Sequence, residues 1–365
     1  MPPVTVLILA PAPVADAGPL EGRLEAAWAV LAEHHRQAFL AVGADEVVIR
    51  REPPDDTPYG SRLRRLVEEL APAGGLVLLG AGSIPLATAP DRRAFVDAAA
   101  ADAPGALANH RASADAVAIA RAAEALRDLP GDLRSDNALP RWLAEAAGVP
   151  VRDLAARRRL AMDVDSPLDL LLLGGAEGAP RLPDLEPADA RAAGGRLEAI
   201  RELARDPGAE LVVAGRTAAT DLRWAERHTR SRTRALVEER GLRTASIGPA
   251  LGRPNRRPAR SVLGLLLDRD GPGSLGTHLA ALGDGALVDS RVLLAHRYGA
   301  DERAWPPAED RFASDLLLAG RVRNPWLAEL TGSAAEASVP VLLGAHSLVG
   351  PGLRLALGSR RRPGD

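Results

Sequence analysis

The run VTVLILA, Val4 to Ala10, is apolar at every position but Thr5 and shows no alternation. A strand with apolar side chains on both faces must be covered on both, which is the situation of an interior strand in a parallel sheet. LVLLG, Leu76 to Gly80, repeats the pattern, and EVVIR (Glu46 to Arg50) and AVAIA (Ala116 to Ala120) are further β-type runs. Helix-length amphipathic segments separate them: Leu20 to Val42, Ser61 to Ala71, Asp91 to Ala101 and Asn137 to Ala147, with Gly43 and Gly148 placed as helix stops. This alternation predicts an α/β fold in which a mainly parallel sheet is sandwiched by helices. Ligands of such sheets bind at the carboxyl ends of the strands.

The stretch GGAEGAPRLPDLEP, Gly174 to Pro187, is dense in Gly, Pro and acids. It predicts a first domain over residues 1–175 and a second α/β domain over 176–365. In the second, Ala188 to Arg205 reads as a helix, Glu210 to Ala214 as a strand, Thr220 to Arg240 as a long helix and Ser261 to Asp268 as a strand. Ala286 to Val288 and Val339 to Leu343 read as further strands, and the Arg- and Pro-rich Ser246 to Arg260 as a mobile loop.

The chain has neither cysteine nor lysine, so all 46 of its basic residues are arginine. Disulfides, thiolate zinc sites, Schiff-base chemistry and the Walker-type phosphate lysine are thereby excluded. A formal charge of −2 gives no global attraction to nucleic acid. The arginines of Thr220 to Arg240 are interleaved with a single aromatic residue, Trp224, so a nucleic-acid surface is not expected. No apolar run approaches the roughly 20 residues that span a bilayer, and Pro2, Pro3, Pro11, Pro13 and Asp16 break any leader-like stretch. The expected location is the cytoplasm, with no membrane partner.

The segment RRRLAMDVDSPLDLLLL, Arg157 to Leu173, carries the sharpest chemical signal. Asp163 and Asp165 alternate with Met162 and Val164, so in an extended chain the two carboxylates share one side. Ser166, Pro167 and Asp169 form a Ser-x-x-Asp capping box with proline at the first helical position, so a helix is predicted to start directly after the pair. Two oxygen ligands at a strand end suit Mg²⁺ or Mn²⁺ holding the phosphates of a nucleotide. The plain alternative is that one aspartate caps the helix and the other is solvated.

AMDVDSPLDL resembles the Asp-(Val/Ile)-Asp-(Thr/Ser)-Pro-x-Asp-Leu motif that closes the catalytic domain of GT-A-type nucleotidyltransferases, such as the molybdenum-cofactor and phospholactate guanylyltransferases. Leu76 to Ala99 (LVLLGAGSIPLATAPDRRAFVDAA) is similar to the family's strand, Gly-(Ala)-Asp-x-Pro-Leu turn and helix. Gly105 to Ala120 falls where a substrate-contacting segment is expected. The resemblance spans roughly residues 1–175 and implies a Mg- or Mn-dependent transferase. It places the cation and catalysis at Asp163 and Asp165, with Ser83 as a substrate contact; Asn109, Ser113 and Asp115 offer further substrate contacts, since Asn with Asp can hydrogen-bond a sugar or base edge, and turn chemistry is the plain alternative for them. Two departures stand beside it. The first strand runs into PAPVADAGPLEGRL instead of a glycine-rich triphosphate loop, and Ser83 stands where the family carries a metal-binding Asp.

Two readings follow. The first is a nucleotidyltransferase-like protein whose partner is a nucleotide or small phosphorylated substrate; the second is a degenerate, non-catalytic GT-A-like module. A homo-oligomer is compatible with either. Asp268 and Asp270, before the Gly-rich turn Gly271 to Ser274, offer a weaker cation and anion motif that a tight connection explains equally well. The histidines at 110, 228, 278, 296 and 346 show no metal-ligand spacing.

Overall fold

A computed structural model describes residues 1–14, 16–52, 55, 57–133, 135–239 and 259–358. All but the last two residues of the expected loop Ser246 to Arg260 lie outside the described residues. The chain forms two compact units that interleave in sequence. The first comprises Met1–Asp16, Glu25–Val164 and Glu177–Leu182, and the second Ala17–Leu24, Asp165–Ala176 and Pro183–Asp365.

In the first unit, β1 (Val4–Pro11), β2 (Glu46–Glu52), β3 (Gly75–Gly80), β4 (Ala106–Ala108), β5 (Ala116–Ile119) and β6 (Val151–Asp153) form one sheet in the order β2-β1-β3-β5-β4-β6. Only β5 runs antiparallel, to both β3 and β4. The chain steps from β1 out to β2 and returns past β1 to β3, so the strand order reverses between β1 and β3. The helices are α1 (Pro19–Ala41, of which the part from Glu25 belongs to this unit), α2 (Tyr59–Leu70), α3 (Ala89–Ala99), α4 (Ala122–Ala125) and α5 (Leu139–Glu145). Val4, Val6, Ile8, Val77 and Leu79 pack with Phe39 of α1 and Phe95 of α3. Leu7, Leu76, Leu78 and Ile119 pack with Leu63 and Leu66 of α2 and Leu139 and Leu143 of α5. The period of two along each strand thus feeds two cores, one per face, as the unalternating apolar runs require.

The second unit holds α6 (Pro167–Leu173), α7 (Pro187–Leu203), β7 (Glu210–Gly215), α8 (Ala219–His228), β8 (Arg232–Val237), α9 (Val262–Asp270), α10 (Leu275–Leu282), β9 (Gly285–Asp289), α11 (Ser290–Tyr298), α12 (Ala308–Asp315), α13 (Pro325–Glu336), β10 (Val341–Gly344), α14 (His346–Val349) and α15 (Leu353–Leu357). Its four strands are all parallel, in the order β10-β9-β7-β8, with the reversal between β7 and β9. The α6 helix belongs here because its leucines do. Leu168, Leu170, Leu172 and Leu173 are buried, and Leu168 lies so close to β10 that a Cβ on Gly344 would sit 2.9 Å from its Cδ2.

Two expected elements differ. The long helix over Thr220 to Arg240 ends at His228, and Arg232–Val237 is instead the edge strand β8, paired with β7 from Glu210↔Arg232 to Gly215↔Val237. Thr229, Ser231 and Thr233 interrupt the helix with residues that lose rotamer freedom in it or compete for its backbone. The ladder to β7 then supplies the hydrogen bonds. The strand expected over Ser261 to Asp268 is the helix α9: Ser261 caps it by accepting from the Gly264 amide at 3.1 Å, Leu263 and Leu267 are buried, and Gly271 stops it at φ 85°. An apolar run of this length fits either element, and the cap decides it. Among the described residues no helix is long and apolar enough to cross a membrane.

Candidate functional site

The carboxyl end of β3 opens into the turn Ala81–Ile84, beside the reversal of strand order. Ala81 N donates to Leu9 O of β1 at 2.8 Å, and Ser83 N to Gly80 O at 3.1 Å. Ser83 pairs with Asp163 in an isolated antiparallel bridge, and Val164 N donates to Gly82 O at 3.0 Å. Trp28 Nε1 of α1 donates to Val164 O at 2.7 Å. Gly82 is needed for this approach, because a Cβ there would stand 2.8 Å from both Trp28 Nε1 and Val164 O. Ile84, wholly buried, is held at φ 45°, a left-handed conformation that costs a non-glycine residue energy and persists where surroundings dictate it.

His35 braces the turn from below. Its Nε2 lies 2.9 Å from Ser83 O, so it carries the proton and donates, while the buried Nδ1 has no partner among the described residues. Burial above all, then the charges of Arg92 and His34, push the imidazole down to about 3, against the bond to Ser83 that favours the charged form. The ring is therefore neutral wherever the unit is folded near neutral pH.

The other expected site residues of this unit lie along the same edge. Asn109 follows β4 and Asp115 precedes β5, whose reversed direction brings its start to the carboxyl edge; Gly80 N donates to Asp115 O at 3.3 Å. Asn109 is 2% exposed and engaged within the fold: Oδ1 accepts from the amides of Asp115 (3.0 Å) and Ala116 (3.2 Å), while Nδ2 donates to Leu160 O (2.9 Å) and Asp115 Oδ2 (3.1 Å). Ser113 sits in the turn between them, with its amide 3.4 Å from His110 O. Asp163 is 6% exposed.

Sequence reasoning missed an arginine clamp on this edge. Asp91, whose side chain is wholly buried, closes the capping box of α3 with Thr88 and accepts from Arg159 through two bonds (2.7 and 2.6 Å) and from Arg157 at 2.9 Å. Burial would raise this carboxyl, but Arg159, Thr88 and Arg157 together hold it down at about 2. The triple-arginine run immediately before the Asp163 motif was a visible signal.

The division between the units falls between Val164 and Asp165, so the DVDSP motif is split. In the second unit Asp165 is exposed, and its amide donates to Asp169 Oδ2 at 3.0 Å, as do Ser166 N (2.8 Å) and Ser166 Oγ (3.1 Å). The capping box expected at Ser166 and Asp169 is present. The other oxygen of Asp169 accepts from Ser347 Oγ at 2.5 Å, and both residues are wholly buried. Burial pushes the Asp169 carboxyl up to about 7, against the Ser347 bond, with the charge of Asp165 adding to the rise. A carboxylate oxygen of Asp165 and a ring nitrogen of His346 lie within 4.8 Å of each other. His346 follows β10 at its carboxyl end, beside the end of β9, where the buried Asp289 is paired with Arg216 at 2.5 and 3.0 Å. No family model, no curated protein and no solved structure matches the chain.

Proposed function

We propose that the protein is nucleotidyltransferase-like, binding a nucleotide or an activated sugar or phosphate substrate through a divalent cation at Asp163 and Asp165. The observation that carries this reading is the place of Asp163: at the carboxyl edge of the first unit's sheet, bridged to the turn after β3, beside the β1/β3 reversal where ligands of such sheets bind. Asp165 follows two residues later on the same continuous segment. The donor set fits the group, since two carboxylates offer a hard dication the oxygen ligands it prefers. The cation, when bound, neutralises phosphate charge. The chain's own part is positional: Gly82, Trp28 and His35 fix the backbone at Ser83 and Val164, and Asp169 fixes that at Asp165. The Arg157 and Arg159 guanidiniums, tied to Asp91, bring positive charge to the edge where the glycine-rich loop is missing.

A second reading, a ligand-binding or assembly module without catalysis, is favoured by Ser83 standing where the resembled family has a carboxylate. A thermal-shift screen of nucleoside di- and triphosphates with and without Mg²⁺ or Mn²⁺ separates the cases, because a ligand bound only by the native state raises the midpoint. Cation-dependent stabilisation with pyrophosphate release supports the enzyme, and stabilisation without turnover supports the module. No cation-dependent shift with any nucleotide refutes the first reading.

A further inference from the structure

Resting on the proposal of a cation at Asp165, we infer that His346 supplies that cation with a nitrogen ligand, so that the site selects a transition-metal dication of the Mn²⁺ or Zn²⁺ class over Mg²⁺. Donor atoms that share one ion at about 2.1 Å each lie roughly 3 to 4 Å apart. Asp165 and His346 present donors within 4.8 Å of each other, so a side-chain adjustment closes the site without backbone movement. The separation is set by rigid structure. One oxygen of Asp169 holds the Asp165 amide, and the other holds the hydroxyl of Ser347, the residue next to His346. A single wholly buried carboxylate therefore ties together the two backbones that carry the donors. Leu168, packed against Gly344, pins α6 to the end of β10 two residues before His346. This is how a supporting shell fixes ligands at a metal centre. Mg²⁺ keeps oxygen ligands and water in near-ideal octahedra, whereas imidazole suits the later first-row ions, so a mixed carboxylate and imidazole pair discriminates against it.

The full-length chain is titrated with Mn²⁺ and observed by electron paramagnetic resonance, with pulsed measurement of nitrogen coupling to the bound ion. One Mn²⁺ per chain is expected, carrying a ¹⁴N coupling that disappears in His346→Asn, whose Mn²⁺ affinity falls on the order of tenfold or more. Mg²⁺ is expected to compete weakly against wild type and better against the variant. The nitrogen coupling is read on the wild-type protein, so it stands even if the variant folds poorly; His346→Gln is the second substitution. Bound Mn²⁺ without nitrogen coupling overturns the assignment of His346 while leaving the cation at Asp165 intact. Absence of any bound Mn²⁺ overturns both.

Discussion

His35 places a pH dependence in the first unit that can be worked through. In the folded unit its pKa is depressed to about 3 from an ordinary 6.5, so the unfolded chain binds a proton that the folded one refuses. Stability is therefore complete above pH 6.5 and is lost as the pH falls through the window between the two values. Well below 6.5 the slope is about 1.4 kcal/mol per pH unit, and between about pH 7.5 and about pH 5 the loss from this residue comes to about 2 kcal/mol. Because the side chain is wholly buried, solvent screening does not dilute the effect. The assay is native-state hydrogen exchange at the amides of Val77 and Leu79 in β3, corrected for the intrinsic pH dependence of exchange, which reads the opening free energy of this unit alone. His35→Gln keeps a donor for Ser83 O and removes the titration. Its opening free energy is expected to be lower than wild type at pH 7.5 and to fall much less by pH 5. Parallel losses in wild type and variant would show that the buried imidazole is not their source.

Gly82→Ala places a methyl 2.8 Å from Val164 O and Trp28 Nε1, and is expected to destabilise the first unit by about 1–3 kcal/mol and to weaken nucleotide binding, read by denaturant midpoint and thermal shift. Leu168→Ala empties a fully buried position of α6, and a loss of about 2–5 kcal/mol is expected in unfolding of the second unit; an unchanged midpoint would mean that α6 is not part of that core. Ser261→Ala removes the cap of α9 at an expected cost of about 1 kcal/mol, and no cost would deny the cap its role.

What could be read in the sequence was what local pattern determines. VTVLILA and LVLLG had to be interior strands because no half-exposed surface tolerates them, and Ser166 with Asp169 had to start a helix. The edge strand β8 was misread because its exposed positions, Arg232, Arg234, Ala235 and Val237, do not alternate with buried ones and its arginines suit a solvated helix face; only its pairing with β7 makes it a strand. α9 was misread because a leucine run of that length fits a strand as well as a helix, and the cap at Ser261 and the stop at Gly271 decide it in the structure. The clamp of Asp91 on Arg157 and Arg159, and the approach of His346 to Asp165, join residues far apart in the chain. No spacing rule reaches across such distances, since the juxtaposition is made by strand order and by the seating of α6 on β10.

The central claim is that the carboxylate of Asp165 holds a cation that holds a nucleotide. It is tested most directly by the Mn²⁺-dependent thermal shift with nucleoside triphosphates, measured on wild type and Asp165→Asn. The substitution keeps the shape and removes the charge a dication needs. The expected result is loss of the Mn²⁺-dependent nucleotide stabilisation, with the ligand-free midpoint unchanged or slightly raised, since the charge that presses on Asp169 is removed. An undiminished nucleotide shift together with a ligand-free midpoint lowered by several degrees, on the order of 1–2 kcal/mol, would contradict the claim and leave Asp165 a structural residue at the start of α6.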